Sequence, residues 1–290
     1  MTPDRQSRIE AALGESIADL QTISGGCIAD SRQLTTHTGK LFFLKQARPG
    51  QNPNMLRAEA SGLHELRKAK AVRIPEVLAV EFDFLLLEFI PAGRAHSGSY
   101  AELGRNFAQL HRLRGKVFGF HEDNFLGTSL QSNRASGTAV SNWVTFYAEQ
   151  RLGFQLRLAE RTGAATPELR RGLGRLLDKL PDLLSGTEEP PTLLHGDLWS
   201  GNHLIDTQGR GWLIDPAVSY GHREADLAMT TLFGGYPSEF YAAYQEAHPL
   251  PSGWREREPL YRLYHLLNHL NLFGSGYLGQ VLAVIRRYVG

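Results

Sequence analysis

Two apolar segments that each lead into an aspartate constrain this chain more than any other feature of its sequence. The first is the segment 193–202 (LLHGDLWSGN), and the second is the segment 212–216 (WLIDP). Short apolar runs bounded by turn residues are typical of buried strands. We therefore expect Asp197 and Asp215 to lie in turns that follow strands, with Asn202 five positions after the first aspartate.

This set of side chains is the set that phosphoryl transfer needs. One carboxylate orients the acceptor hydroxyl and takes its proton, while an Asn oxygen and a second carboxylate hold Mg²⁺ against the ATP phosphates. The protein-kinase catalytic loop has the pattern H-R-D-x-x-x-x-N, followed by a metal-binding Asp, and His195, Asp197, Asn202 and Asp215 keep that order and spacing. The alternative is a pair of turns capped by structural aspartates. Because all four residues match the order and spacing of the kinase pattern, a base at Asp197 and metal ligands at Asn202 and Asp215 are favoured.

A lysine at the end of an apolar strand adds to this interpretation. Lys45 ends the run LFFLK, where a charge needs a partner. In a kinase the strand lysine bridges the ATP phosphates and a helix glutamate, and Glu59 lies near the apolar face of the helix predicted over residues 54–70. A solvated Glu59 is the alternative. Before the strand, Gly25 and Gly26 would let backbone N–H groups approach a phosphate, although a Gly-Gly pair is often only a turn.

The pattern of the chain changes from strand-like to helical near residue 91. Apolar spacing predicts an opening helix over residues 5–20, and four β-rich runs around turns then predict a small antiparallel sheet. We therefore expect an α+β fold with two lobes. The β-rich lobe would comprise residues 1–91 and the larger, mostly helical lobe residues 92–290, with a cleft between them.

Several residues near this cleft have predicted roles. The backbone from Glu88 to Ile90 would offer carbonyl and N–H groups to an adenine edge, because domain interfaces favour such sites. His222 follows the second aspartate closely and is a candidate substrate contact. We expect His111 to be a packing histidine, and Asp226 to stabilise the start of a helix through the backbone dipole.

These segments together resemble the fructosamine kinase (ketosamine 3-kinase) family. The resemblance runs in order along nearly the whole chain, from the glycine loop through the strand that ends at Lys45 to the segments 194–202, 215–217, 220–222 and 233–237. His-Gly-Asp alone is shared with aminoglycoside phosphotransferases and choline kinases. The extension WSGN and the Gly-His pair after the metal Asp are more specific.

The resemblance implies a two-lobed, protein-kinase-like fold and ATP-dependent phosphorylation of the sugar O3 of ketosamines. Ketosamines are sugar adducts of amines or protein lysines, and the 3-phosphate makes the adduct labile, so the family is regarded as deglycating its targets. The resemblance assigns the base to Asp197, Mg²⁺ to Asn202 and Asp215, and the positioning of the phosphates to Lys45 with Glu59.

Two further residues acquire candidate roles from the resemblance. Trp199, next to the base, is a plausible sugar platform, since an aromatic face packs against C–H groups. The alternative is a core tryptophan that anchors the loop. Cys27 falls at the family's phosphate-loop cysteine position, where a redox role and a buried structural role are both open.

Composition narrows the class of partner. The net charge of +1, from 31 basic and 30 acidic residues, gives no footprint for nucleic acid or an anionic membrane. Cys27 is the single cysteine, which excludes an intrachain disulfide. The first residues form no apolar leader and no apolar run is long enough to span a bilayer, so we expect a cytoplasmic protein. The sequence leaves the oligomeric state open.

Two other functions compete with a ketosamine kinase. Aminoglycoside- or choline-type kinases usually hold their cationic substrates with acidic residues, and this chain has no dense acidic tract after the metal loop. A pseudokinase would lack the base or a metal ligand, yet Lys45, Asp197, Asn202 and Asp215 are all present. A ketosamine kinase is therefore favoured, with the preferred ketose and amine undetermined.

Overall fold

The structure is a computed structural model that describes residues 2–23 and 30–290. Within these ranges the strands are β1 (Ile17–Thr22), β2 (Asp30–Thr36), β3 (Leu41–Gln46), β4 (Val77–Val80), β5 (Phe84–Glu88), β6 (Asn124–Leu126), β7 (Ser129–Gln131), β8 (Thr192–Leu194), β9 (His203–Ile205), β10 (Gly211–Leu213) and β11 (Ser219–Gly221). The helices are α1 (Pro3–Leu13), α2 (Met55–Lys68), α3 (Ser99–Leu110), α4 (Trp143–Phe146), α5 (Gly153–Thr162), α6 (Pro167–Leu183), α7 (Arg223–Thr231), α8 (Ser238–Ala247), α9 (Trp254–Phe273) and α10 (Leu278–Val289). A π-helical segment, Tyr147–Leu152, joins α4 to α5, and short 3₁₀ turns lie at Gly137–Val140 and Ser275–Tyr277.

The first part of the chain forms a five-stranded antiparallel sheet with strand order β1-β2-β3-β5-β4. Strands β2 and β3 form a hairpin, and its turn includes Gly39 at φ +84°, a conformation that glycine adopts without strain. Lys45 stands on the central strand β3, opposite Leu85 of β5. Helix α2 lies at the predicted position and buries one apolar side, with Leu63 and Leu66 almost inaccessible to solvent. The sheet thus brings the strand lysine to a covered position in its centre.

The predicted opening helix is too long. Helix α1 ends at Leu13 because Gly14 adopts the left-handed conformation at φ 68°, a common helix terminator. The chain then enters β1, and Ile17 pairs with Thr36 of β2. Ile17 and Leu20 happen to continue the helical spacing, but the sheet places them in a strand, so that part of the helix prediction is wrong.

One apolar core joins the sheet to the helices that follow it. It contains Leu63 of α2 and Leu85 of β5 together with Phe107 of α3. The same core includes Leu193 and Leu213, which precede the two aspartates of the catalytic motif. The strands that carry the motif are therefore anchored in apolar packing shared with the sheet. A separate core, built mainly from α5, α6, α9 and α10, supports the far side of the helical part.

No helix in the described part of the chain combines the length and apolar character needed to cross a bilayer.

Candidate active site

Two adjacent turns carry the motif residues. Strand β8 pairs antiparallel with β11, with Leu194 opposite Ser219, so the residues that follow β8 lie beside the residues that precede β11. The amide of Ala217 donates to the carbonyl of His195 at 2.9 Å, and the amide of Ile214 donates to the carbonyl of Asn202 at 3.0 Å. These backbone bonds fix the turn after β8 against the turn after β10. Asp197 and Asp215 therefore both lie in turns that follow strands.

The close approach of the two turns requires a glycine. Gly196 has φ +84°, and a Cβ added to it would lie 1.9 Å from the carbonyl oxygen of Ala217. Any side chain there would push the turns apart. Asp215, in the second turn, is itself at φ 55°, a left-handed conformation that costs a non-glycine residue energy and that clusters at functional sites. The backbone therefore holds the Asp215 carboxylate in a direction that an ordinary strand end would not give.

The predicted lysine pairs with two carboxylates from different parts of the chain. The Lys45 Nζ donates to Glu59 Oε1 at 2.6 Å and to Asp215 Oδ1 at 2.6 Å. Burial lowers the pKa of Lys45, but the charges of Asp215 and Glu59 raise this pKa more, so the side chain remains a cation. The pair that the sequence predicted between Lys45 and Glu59 is present, and the second bond brings Asp215 to the same ammonium.

Asp197 and Asn202 are also in contact. The Asn202 Nδ2 donates to the Asp197 backbone oxygen at 2.8 Å and to Asp197 Oδ2 at 3.1 Å. Burial, followed by the negative charge of Asp215, raises the pKa of the Asp197 carboxyl well above its usual range. A carboxylate with a raised pKa is a better proton acceptor, as general-base chemistry requires. The contact also orients the Asn202 amide beside the Asp197 carboxylate.

The donor set of this site fits magnesium bound together with phosphates. The described residues contain no group of three or more His, Cys, Asp or Glu side chains arranged to hold a metal. Mg²⁺ in phosphoryl-transfer sites is, however, commonly held by one or two carboxylates plus phosphate oxygens and water. One carboxylate at Asp215 and one amide oxygen at Asn202 meet that lesser requirement, because both are hard oxygen donors.

The structure describes the residues predicted to contact the adenine but not the glycines predicted to contact the phosphates. Glu88 ends β5, and its amide nitrogen donates to the carbonyl of Glu76 at 2.9 Å. Ile90 lies two positions further on and is buried. Gly25 and Gly26, and Cys27 beside them, lie outside the described residues.

Trp199 lies on the turn that carries Asp197 and is partly exposed. Its carbonyl accepts the hydroxyl of Tyr236 at 3.0 Å and the amide of Asn202 at 2.9 Å. The indole covers Gly201, where an added Cβ would lie 2.4 Å from two ring atoms. The backbone of Trp199 is therefore held by two hydrogen bonds, and the residue as a whole is only partly buried.

The structure does not bring His222 to the cleft surface. Only 1% of its surface is exposed, and its Nε2 donates to the carbonyl of Thr187 at 2.8 Å. The Nδ1 accepts the amide of Glu224 at 3.3 Å, which caps helix α7, and the ring stacks on Tyr261. Burial lowers the pKa of His222, so it is neutral. This placement argues against the predicted substrate contact and gives His222 a helix-capping role.

Sequence reasoning missed the role of Asp226. Its carboxylate accepts the amide of His195 at 2.6 Å and the amide of Gly196 at 2.8 Å, so it holds the turn that carries the candidate base. His111 donates to the same carboxylate at 3.2 Å and accepts the hydroxyl of Tyr244 at 2.7 Å. Burial raises the pKa of Asp226, but its hydrogen-bond donors lower this pKa more, so it remains an anion. The expected packing histidine thus completes a buried network.

The interaction with its own helix dipole, which the sequence predicts, is thus only part of the role of Asp226. A sequence signal for the larger role does exist, because Asp226 stands within the apolar run ADLAM. A carboxylate among apolar residues is buried only where specific donors meet it.

Comparison with known proteins identifies the family. A model of the family described as fructosamine kinase matches residues 1–290. The chain belongs to the fructosamine kinase family. Among curated members, a probable ketoamine kinase of Synechocystis sp. is 38% identical, with 93% of this chain and 90% of that protein covered. A chloroplastic protein-ribulosamine 3-kinase of Oryza sativa subsp. indica is 36% identical, with 99% and 83% covered.

Solved structures agree with this membership of the fructosamine kinase family. The crystal structure of a candidate fructosamine-3-kinase from Thermobifida fusca is 32% identical and has a TM-score of 0.89, with 99% of each chain covered. A macrolide 2′-phosphotransferase, at 13% identity and a TM-score of 0.62, shares the fold alone. The α+β, protein-kinase-like fold class predicted from the sequence is therefore confirmed.

Proposed function

We propose that this member of the fructosamine kinase family transfers the γ-phosphoryl group of ATP to the sugar O3 of a ketosamine. The observation that carries the proposal is the shared contact of Lys45 with Glu59 and Asp215, at 2.6 Å each. It joins the sheet to the turn that lies beside Asp197, which is the arrangement that a strand lysine and a metal-binding aspartate need in phosphoryl transfer. The relatives named as ketoamine and protein-ribulosamine kinases support the choice of acceptor.

Each polar side chain has a task in this proposal. Asp197 accepts the proton of the O3 hydroxyl. The side-chain amide of Asn202 holds the Asp197 carboxylate in place. Lys45 orients the phosphates from the sheet, with Glu59 fixing its ammonium. Asn202 and Asp215 would hold Mg²⁺, which when bound would neutralise charge on the phosphate oxygens. Most of the rate acceleration then comes from positioning and charge neutralisation.

The remaining predictions belong to the same proposal. The nucleotide would lie between the β-rich lobe (residues 1–91) and the helical lobe (residues 92–290). The backbone from Glu88 to Ile90 would lie beside the adenine. Gly25 and Gly26 would approach the phosphates, and Trp199 would face the sugar. A cytoplasmic location stays a prediction from the sequence. Phosphorylation of O3 would destabilise the adduct, so the expected biological outcome is deglycation.

A direct assay tests the reaction. Purified enzyme is incubated with labelled ATP and, separately, with a fructosamine, a ribulosamine and an aminoglycoside. We expect label transfer to at least one ketosamine and none to the aminoglycoside. Transfer to the aminoglycoside alone would replace this function with the alternative, an aminoglycoside-type kinase.

The assignment of the base is tested in the same assay. Asp197→Asn is expected to keep nucleotide affinity and to lower turnover by about two to four orders of magnitude, because the proton acceptor is lost. The matched control is Asp178→Asn, the same substitution at an exposed position of α6, which should retain normal turnover. An Asp197→Asn enzyme that remains fast would remove Asp197 as the base.

A further inference from the structure

Aromatic rings form a continuous strip that begins beside the candidate base. The indole of Trp199 meets Phe233 edge-on, with ring centroids 5.4 Å apart. Phe233 in turn contacts His269 at 5.3 Å. His269 contacts Tyr277 at 5.1 Å and Phe273 at 5.4 Å. We call these five residues the aromatic strip.

The outer members of the aromatic strip face solvent. Phe273 is 63% exposed and Phe233 is 39% exposed. Phe233 follows the end of α7, and Phe273 is the last residue of α9, so both stand where a helix stops and the chain turns. Single exposed apolar residues are common on proteins, whereas connected exposed aromatic rings mark binding surfaces. The continuity of the strip with Trp199 therefore relates it to the acceptor site.

The segments that form the outer strip lack ionised side chains. No Asp, Glu, Lys or Arg occurs in the sequence between Asp226 and Glu239 or between Arg262 and Arg286. Burial lowers the pKa of His269, so its imidazole is neutral at pH 7. Charged groups on these segments therefore cannot select a partner. Ring faces and edges select for apolar and aromatic groups.

We propose that the aromatic strip binds the amine substituent of the ketosamine when that substituent is apolar. This inference rests on the proposed function, because it requires the sugar to lie against Trp199 with its O3 at Asp197. In a ketosamine the nitrogen is bonded to C1 and the reacting hydroxyl to C3, so the substituent leaves the sugar close to the reacting centre. A substituent that passes over Trp199 reaches Phe233 next and then Phe273, which gives the enzyme selectivity for the amine as well as for the sugar.

Two synthetic substrates test this selectivity. One is the fructose adduct of glycine, whose substituent is small and polar, and the other is the fructose adduct of 4-phenylbutylamine, whose substituent is long and aromatic. The measured quantity is the ratio of kcat/KM for the phenylbutyl adduct to kcat/KM for the glycine adduct. Phe273→Ala and Phe233→Ala are each expected to lower this ratio by about 5- to 10-fold, mainly through the KM of the phenylbutyl adduct.

Phe82 supplies a matched control. It is 55% exposed, and the Arg8 guanidinium lies over its ring, 5.1 Å from the centroid. Phe82→Ala removes a similarly exposed phenyl ring from the turn between β4 and β5, which is not part of the aromatic strip. We expect the ratio of the two kcat/KM values to stay at the wild-type value. A reduced ratio in Phe82→Ala equal to that in Phe273→Ala would overturn the proposal, because the effect would not depend on the strip.

The outcomes separate this inference from the function on which it rests. If the wild-type enzyme phosphorylates neither of these adducts nor the corresponding ribulose adducts, the proposed function fails. If it phosphorylates both and the strip variants leave the ratio unchanged, only the role of the strip is wrong. A loss of oligomers in Phe273→Ala, with both adducts affected equally, would make the strip an interface between copies and also overturn the proposal.

Discussion

The Nζ atom of Lys45 lies 2.6 Å from Oδ1 of Asp215, although 170 residues separate the two in the sequence. Glu59 accepts from the same ammonium at 2.6 Å, so one cation joins the central strand, helix α2 and the turn after β10. Lys45 is only 6% exposed. A charge that has left water is stable only with such partners, and the contact therefore fixes where the candidate phosphate site lies.

Replacing this lysine should affect both activity and folding. Lys45→Met removes the cation and leaves Glu59 and Asp215 as neighbouring carboxylates with no counter-charge. We expect kcat/KM for ATP to fall by about 10²- to 10³-fold, the effect of removing one preorganised charge partner. The free energy of unfolding should fall by about 3–5 kcal/mol, as for a broken buried ion pair. Steady-state kinetics and urea unfolding measure the two quantities.

A surface lysine provides the control for that experiment. Lys68→Met removes a lysine whose side chain is 70% exposed and pairs with Glu65. Exposed pairs contribute about 0–1 kcal/mol, so stability and ATP kinetics should hardly change. Lys45→Arg keeps the charge and should recover stability more than activity. Normal ATP kinetics in Lys45→Met would contradict the phosphate-positioning role.

The position of the Trp199 indole can be changed without removing it. An added Cβ at Gly201 would lie 2.4 Å from Cη2 and Cζ2 of the indole, so Gly201→Ala must displace the ring. If Trp199 faces the sugar, the KM for the ketosamine should rise by about tenfold, equivalent to about 1.4 kcal/mol of lost binding. The KM for ATP should stay close to wild type. Substrate-saturation curves for both substrates measure the effect.

Gly174→Ala is the control, since an added Cβ there meets no atom within 4 Å. It lies in α6, where alanine should stabilise the helix by about 1 kcal/mol. Kinetics should be unchanged. A ketosamine KM that is equal in the two variants would show that the indole is not part of the sugar site.

Asp226 should control turnover through the turn that it holds. Asp226→Asn replaces one of the two oxygens that accept the amides of His195 and Gly196 with an amide donor. One backbone N–H then faces another donor, which costs about 1–3 kcal/mol in stability. We expect kcat to fall at least about tenfold as the base loses its position, with little change in the KM for ATP. Urea unfolding under the assay conditions distinguishes positioning from loss of folded enzyme, because unfolding would also lower the apparent kcat without changing the KM. A variant that is fully folded and has normal kcat would show that Asp226 does not position the base.

Helix and strand positions follow from local sequence in most of this chain, and the site follows only in part. Short apolar patterns predict the strand that carries Lys45 and the helix that carries Glu59. The ion pair between Lys45 and Glu59 could therefore be predicted from the sequence. Asp226 reaches His195 across 31 positions, and no local pattern specifies which buried amides a carboxylate will meet. The buried position of His222 is likewise not evident from the local sequence.

Histidine is not among the preferred helix N-caps, so its position before α7 gave no capping signal. The motif around Asp215 instead made a substrate contact the natural interpretation of His222. The three-dimensional structure reveals that the side chain belongs to the interior, through its 1% exposure and the packing of its ring on Tyr261, with centroids 5.6 Å apart. The overlong opening helix has a simpler cause, because the spacing of Ile17 and Leu20 fits a helix while Gly14 ends it.

Acid should destabilise the fold through a buried histidine in α9. His265 is 4% exposed, and burial lowers the pKa of its imidazole from 6.5 to about 3. Between these two values the unfolded chain binds a proton that the folded chain does not, so stability rises with pH and is lost as the pH falls below 6.5 towards 3. From pH 7.5 to pH 5.0 this one side chain should cost about 2 kcal/mol.

The contribution of His265 can be isolated by substitution, because other buried histidines act in the same direction. His265 Nδ1 has no hydrogen-bond partner among the described residues, so His265→Phe removes the titrating ring without breaking a bond at that atom. Urea unfolding at pH 7.5 and pH 5.0 should show a difference smaller by about 2 kcal/mol than in the wild type. His64→Phe, at an exposed position of α2, should leave the wild-type difference intact. If His265→Phe keeps that full difference, the acid sensitivity arises elsewhere, since a residue that cannot titrate cannot contribute to it.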